Sequence, residues 1–282
     1  IGFIFTVKKF FLTGLIINNL SIIGLLLSFF RVMTEHIDVS GFLDYFVRHG
    51  IPLLLCLIFA NIVGILGFRA YLKDKKDVLY LGFSSWLSTT VGCAKIAAEE
   101  LSQKYPEQKV LVVDTLCASA GQGLIVYLAC LEKEKGANIE EVMSFVENIK
   151  LNLCHWFTVD DLMFLKRGGR VRAAPALVGT MLQIKPVLHV DDEGHLINVA
   201  KARGRKAAIE ALAKKVGETG LPGENDTVFI SHGDCLEDAQ LLEKILQEKY
   251  GVKSAFIYYV GAVIGSHSGP GTLALFFMGS KR

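Results

Sequence analysis

Val78-Leu79-Tyr80-Leu81-Gly82-Phe83-Ser84-Ser85 decides the fold: a short apolar run that breaks off into two hydroxyls. An uncharged run of this length, rich in strand formers, reads as a buried strand with the serine pair at its tip. Working outward, Ala94 to Tyr105 has helical spacing and is stopped by Pro106. Val110 to Val113 is a second apolar run closed by Asp114-Thr115, and Gly123 to Lys135 is again helical, ending at Gly136. Asn138 followed by Glu141 forms a capping box for a helix running toward Leu153. Strand and helix in alternation imply a parallel sheet with helices on its faces. Ligands of such folds gather outside the C-terminal ends of the strands, which is where Ser84 and Ser85 fall.

After Cys154 the rhythm changes. Thr158 and Asp161 read as a second capping box, opening a short helix that closes at Gly168-Gly169. Pro186 to Val190 and His195 to Ala200 flank Asp191-Asp192-Glu193-Gly194, the pattern of a hairpin. Arg205 to Val216 is helical, Gly220 to Gly223 a loop and Thr227 to Ser231 a strand. Asp234 and Glu237 cap a helix that Gly251 stops. The β-rich run Ala255 to Val260 then leads into Gly265-Ser266-His267-Ser268-Gly269-Pro270-Gly271-Thr272. This reads as a glycine-rich turn, whose close-approaching amides, hydroxyls and imidazole can converge on an anion. We therefore expect an α/β domain over residues 1–154 and an α+β domain over residues 155–282.

The net charge of +2 on 282 residues offers no electrostatic footprint for nucleic acid. Six cysteines stand singly, without ligand spacing, and read as reduced, buried thiols of a cytosolic protein. The mean hydropathy of +0.41 is high, and the excess lies in the first 72 residues. Phe10 to Phe30 is an uncharged run of 21 residues, and Ile51 to Phe68 one of 18. Each is long enough for a membrane-spanning helix, and the flanking lysines and arginine suit a hairpin with both ends in the cytoplasm. Against spanning stand Asn18, Asn19 and Ser21 in mid-run, and Gly14 and Gly24, which weaken a helix. We expect instead a strand at Ile4 to Val7, a helix within the following apolar run and a helix at Val39 to Val47. The surplus apolar surface then packs inward or clings to a membrane surface. A chain opening on Ile1 reads as a fragment or an edited sequence.

Four stretches, taken together, carry a resemblance. They are Phe83-Ser84-Ser85-Trp86-Leu87-Ser88, Lys166-Arg167-Gly168-Gly169-Arg170-Val171, Val178-Gly179-Thr180-Met181-Leu182 leading to Lys185-Pro186-Val187-Leu188, and the glycine-rich segment. In this order and spacing they resemble the DegV family, bacterial fatty-acid-binding proteins that present an acyl chain to a fatty acid kinase. The resemblance runs from about Lys76 to Arg282. It implies a DegV-like two-domain α/β fold, with a fatty-acid tunnel between a parallel-sheet N-terminal domain and an α+β C-terminal domain. It further implies a cytoplasmic carrier with no catalytic residue and no cofactor, holding one long-chain fatty acid and partnered by a fatty acid kinase subunit.

The resemblance also assigns roles. Ser85, beside Ser84, donates its hydroxyl to the fatty-acid carboxylate, and His267, Ser268, Gly269, Gly271 and Thr272 border that carboxylate. Arg170 and Arg203 line the entrance and engage the kinase. Trp86 and Thr89 stand where the family has glycines, so Trp86 narrows or reshapes the mouth. The resemblance weakens at the N-terminus: Phe5-Thr6-Val7-Lys8-Lys9-Phe10 replaces an Asp-Ser element, and Pro52-Leu53-Leu54-Leu55-Cys56 a Thr-Ser element. The threonine that would be a second carboxylate donor is missing.

Other constellations read as structural. Ser231-His232-Gly233-Asp234-Cys235 lies at a strand-to-helix turn with no nucleophile placed to use the histidine. Asp160-Asp161 starts a helix and Asp191-Asp192 sits in a hairpin turn, so no metal is expected. Two other functions stay open. One is a membrane-anchored lipid-handling protein with an N-terminal hairpin. The other is a small acyl hydrolase using Ser85 and His267, which would need an orienting acid and an oxyanion hole, without a GxSxG elbow.

Overall fold

Strand β1 spans Val78–Phe83, the full apolar run, and pairs in parallel with β2, Val110–Cys117. The computed structural model describes residues 65–171 and 184–282, with residues 65–73 helical ahead of β1. The elements expected at residues 4–7, within 10–30 and at 39–47 lie outside the described residues, as does Val178 to Leu182. Among the described residues no helix is long and apolar enough to cross a membrane. β2 outruns its apolar stretch because Asp114 and Thr115 keep pairing: the Thr115 hydroxyl donates to the Gly82 carbonyl at 2.6 Å. The register then slips, from Gly82 opposite Asp114 to Phe83 opposite Cys117. Such a bulge re-aims the chain at a strand end, here directly before the serine pair.

Helix α1 (Thr90–Lys104) begins four residues before the periodicity suggested and buries Val91, Ala94, Ala98 and Leu101 along one stripe. Helix α2 is Ala120–Glu134 and α3 Ile139–Ile149. The capping box at α3 forms as read: Asn138 Oδ1 accepts the Glu141 amide, and Glu141 accepts the Asn138 amide.

A strand that the periodicity did not signal follows. β3, Leu153–Thr158, is buried at all six positions and lies within a six-stranded sheet of order β5-β4-β3-β8-β6-β7. A strand covered on both faces shows no apolar alternation. The other strands are β4 (Ile184–Val190), β5 (Leu196–Arg203), β6 (Thr227–His232), β7 (Ser254–Tyr259) and β8 (Leu273–Met278). Side chains of β3 and β8 alternate between two cores. Phe157, Ala274 and Phe276 pack with Leu124 and Ile125 of α2 and with Leu81 of β1. Trp156, Leu275 and Phe277 pack beneath α5 (Arg205–Thr219) and α6 (Leu236–Tyr250). The fold is thus mixed α/β, with a small parallel sheet and a larger mixed one.

Three local expectations are corrected. Thr158 ends β3 and caps nothing; Asp161 alone caps α4 (Leu162–Arg167), accepting the Met163 amide. Asp234 is not the cap of α6: it adopts φ +56°, and Cys235 takes the cap position without a side-chain bond. The glycine-rich segment is not wholly a turn, because helix α7 occupies Ala262–Ser268 and the chain turns only from Gly269. Gly269 and Gly271 there take φ of +78° and +74°, which side-chain-bearing residues rarely adopt.

Candidate functional site

The bulge at the end of β1 delivers three consecutive residues to three different anchors. Ser84 is fully buried, and its hydroxyl donates to the Gly194 carbonyl at 3.1 Å, in the β4–β5 turn. Ser85 is exposed, and its amide donates to Asp114 Oδ1 at 3.3 Å, an oxygen that also accepts the Leu116 amide. Trp86 lays its indole 4.1 Å, centre to centre, from the His195 imidazole. No hydrogen bond among the described residues occupies the Ser85 hydroxyl, so its donor is available at the strand tip. Ser88, further along, shares a 2.6 Å bond with Thr90 at the start of α1.

The glycine-rich segment meets the Lys166 to Val171 motif, about a hundred residues earlier in the chain. His267, in the last turn of α7, lies against Gly168, where any side chain would collide with the imidazole. Burial lowers the His267 pKa, and the neighbouring Arg170 charge lowers it further. Arg170 itself is exposed and donates to the Gly168 carbonyl at 2.5 Å. Gly269 sits against the Phe164 ring and Gly271 against the Asp160 carboxylate, so neither tolerates a Cβ. The Thr272 hydroxyl is spent on the Gly269 carbonyl at 2.8 Å, whereas the buried Ser268 hydroxyl has no partner among the described residues. No hydrogen bond among the described residues joins Ser85 to His267, the pair a hydrolase would need.

The two cations singled out differ from their neighbours. Arg203 is the exposed last residue of β5, and no ion pair among the described residues engages it. Two residues on, Arg205 is committed to Asp238 through Nε at 2.8 Å and to Cys235 Sγ at 3.3 Å. His232 is buried and structural: its Nδ1 accepts the Cys235 amide, and its ring faces Tyr259. The ligand atoms of Asp191, Glu193 and His195 come within 4.8 Å of one another. Asp191 is already spent there, however, accepting both the amide and Nδ1 of His195.

Two cavities lie elsewhere among the described residues, neither lined by Ser85 or His267. An apolar one of about 420 Å³ lies beside β1, lined by Leu79, Leu81, Val126, Ile139 and Val142. The other, about 480 Å³, is lined by Ser119, Ser231, Phe229, Tyr258 and Ile264. Its two serines share a 3.0 Å bond. Ile264 belongs to α7, three residues before His267.

Several residues that build the site escaped the sequence reading. Asp114 was visible only as the end of a strand. His155 lay in the unrecognised β3; its Nδ1 donates to the Leu153 carbonyl, Nε2 accepts the Ala118 amide, and complete burial holds its pKa well below the ordinary value. Arg282 gave no signal at all. Its buried guanidinium donates to the carbonyls of Leu153, Leu116, Asp191 and Lys150 at 2.7–3.1 Å, tying β2 to the β4–β5 turn.

Comparison with known proteins follows the same outline. A family model described as "Uncharacterised protein, DegV family" matches residues 66–280. The chain is 48% identical over 215 residues to a DegV domain-containing protein of Clostridium perfringens, covering 76% of this chain and 74% of that one. A solved Thermus thermophilus DegV family protein, described for its fatty-acid binding, is 33% identical, with a TM-score of 0.69 over 78% of this chain and 76% of that one. The Streptococcus pneumoniae Fatty Acid Kinase (Fak) B3 protein, solved loaded with linoleic acid, shares the fold at 20% identity, with a TM-score of 0.66 over 74% of each chain. The chain belongs to the DegV family.

Proposed function

We propose that this DegV-family chain binds one long-chain fatty acid, takes its carboxylate on the Ser85 hydroxyl, and presents it to a fatty acid kinase for acyl-phosphate formation. The observation that carries the reading is the division of labour in the serine pair. Ser84 is buried and bonded to Gly194, while Ser85 is exposed with its hydroxyl unspent. A carboxylate entering a largely apolar site must be hydrogen-bonded or its burial is expensive. The unpaired Ser268 hydroxyl beside His267 offers a further donor, and the relatives with bound lipid agree in kind. An apolar wall such as the cavity beside β1 would favour methylenes, each contributing roughly 0.8 kcal/mol when buried. Arg170 and Arg203, both exposed, are the cations with which the chain would meet a nucleotide-holding kinase.

The test separates the two roles. Ser85→Ala should weaken fatty-acid binding by about 1.5–3 kcal/mol, the worth of one hydrogen bond to a charged group. Arg203→Ala should leave lipid binding intact and reduce acyl-phosphate formation with the kinase. Lipid loss from Arg203→Ala together with an unaffected Ser85→Ala would reverse the assignment.

A further inference from the structure

We propose that Trp86 and His195 are positioning residues, a clasp that fixes the Ser85 hydroxyl and fences its site on the side of the β4–β5 turn. The inference rests on the carrier reading above. It starts from the anchors of the serine segment. Of the three, two lead to the same turn: the Ser84 hydroxyl bonds Gly194, and the Trp86 ring packs at a tilt against His195. The third is the Asp114 carboxylate beneath the Ser85 amide. Ser85 therefore sits between two residues held by one rigid object.

The turn is rigid for identifiable reasons. Asp191 Oδ1 accepts the His195 amide at 2.7 Å, the Asp191 amide donates to the His195 carbonyl at 3.0 Å, and the Gly194 amide donates to the Asp191 carbonyl at 2.9 Å. The carboxylate takes the Nδ1–H of His195 at 3.0 Å, and since a carboxylate only accepts, the ring orientation is fixed. Arg282 holds the Asp191 carbonyl from the other side at 3.1 Å. Gly194 has φ +89°, and a side chain there would collide with the Ser84 hydroxyl, so the two loops fit only with glycine at this place. His195 is 8% exposed while Trp86 is 59% exposed, so the indole lies over a buried platform and keeps much of its surface beside Ser85.

An aromatic ring held on a fixed imidazole restricts the backbone of its own segment. A glycine at position 86 would leave that backbone one anchor short and far freer. The clasp thus lowers the freedom of a hydroxyl that no hydrogen bond among the described residues engages, and retention of a carboxylate on Ser85 should depend on it.

The experiment uses the full chain and measures oleate release by stopped flow in Trp86→Gly, Trp86→Phe and His195→Ala. Release should quicken roughly three- to tenfold in Trp86→Gly and His195→Ala, the scale of one lost aromatic pair. Trp86→Phe, which keeps a ring on His195, should stay within about twofold of the parent. The chain has two tryptophans, so in a Trp156→Phe background Trp86 is the sole indole. Its emission should shift when oleate binds, and the shift should shrink in His195→Ala. Trp86 is exposed, so its variants fold even where His195→Ala does not. Wild-type binding with unchanged release in Trp86→Gly overturns the clasp alone. A wild-type protein that takes up no oleate overturns the carrier reading and the clasp with it.

Discussion

The centre of the six-stranded sheet and the tip of β1 differ sharply in burial. In β3 and β8 every residue is buried, and the histidine caught there, His155, has both ring nitrogens satisfied by backbone. At the tip of β1, burial gives way to exposure within one residue, from Ser84 to Ser85, and no hydrogen bond among the described residues engages the Ser85 hydroxyl. The centre of the large sheet is closed and the tip is open. A parallel pair such as β1–β2 is normally covered on both faces, yet β1 is only half-buried along much of its length. Stability should therefore reside in the large sheet and ligand contact at the tip, and substitutions in the two regions should move different measurements.

The largest effect expected is in the closed region. Phe277→Ala empties a fully buried position under α5 and α6 and should cost about 3–5 kcal/mol in denaturant unfolding. Leu79→Ala, on half-buried β1, should cost less than half as much; equal losses would break the contrast. Next comes Arg282→Ala, which removes a hydrogen bond from each of four carbonyls and should cost about 2–4 kcal/mol.

A pH effect should follow from His155. Its folded-state pKa is depressed by burial, so as pH falls the unfolded chain takes up the proton first. Stability is then full above the ordinary histidine range, about pH 6.5, and is lost as pH drops through and below it. His189, lowered mainly by burial as well, acts in the same direction. Denaturant midpoints at about pH 7.5 and about pH 5.5 should show the loss, and His155→Gln should reduce it.

The smallest effects sharpen the comparison most. Ser84→Ala should cost about 1 kcal/mol in stability by removing the bond to Gly194. Ser85→Ala should change stability by less than about 0.5 kcal/mol, because an exposed hydroxyl without an internal partner has little to lose. Equal destabilisation by the two would mean that the pair is one structural unit.

How much was legible follows from the same contrast. β1, the α3 capping box and the β4–β5 hairpin were readable because their signals are local: an apolar run ending in hydroxyls, Asn138 with Glu141, and acidic turn residues before Gly194. β3 was not, because burial on both faces erases alternation and Trp156 and His155 interrupt the run. Thr158 and Asp234 misled for a related reason. Each is a good capping residue by type, but Thr158 is bound into a sheet register and Asp234 into a tight strand-to-helix turn. The meeting of His267 with Gly168, and of Trp86 with His195, joins distant segments, and no spacing rule reaches that far. Arg282 shows the limit most plainly, since an arginine far from any motif carries no local sign that four carbonyls await it.

The central claim is that the open hydroxyl at the tip of β1 exists to meet a fatty-acid carboxylate. Native mass spectrometry of the gently purified full chain, before and after addition of oleate, tests it most directly. The account predicts one fatty acid per chain, with occupancy falling in Ser85→Ala and holding in Arg203→Ala. A chain that carries no fatty acid and takes up none when oleate is added would contradict it.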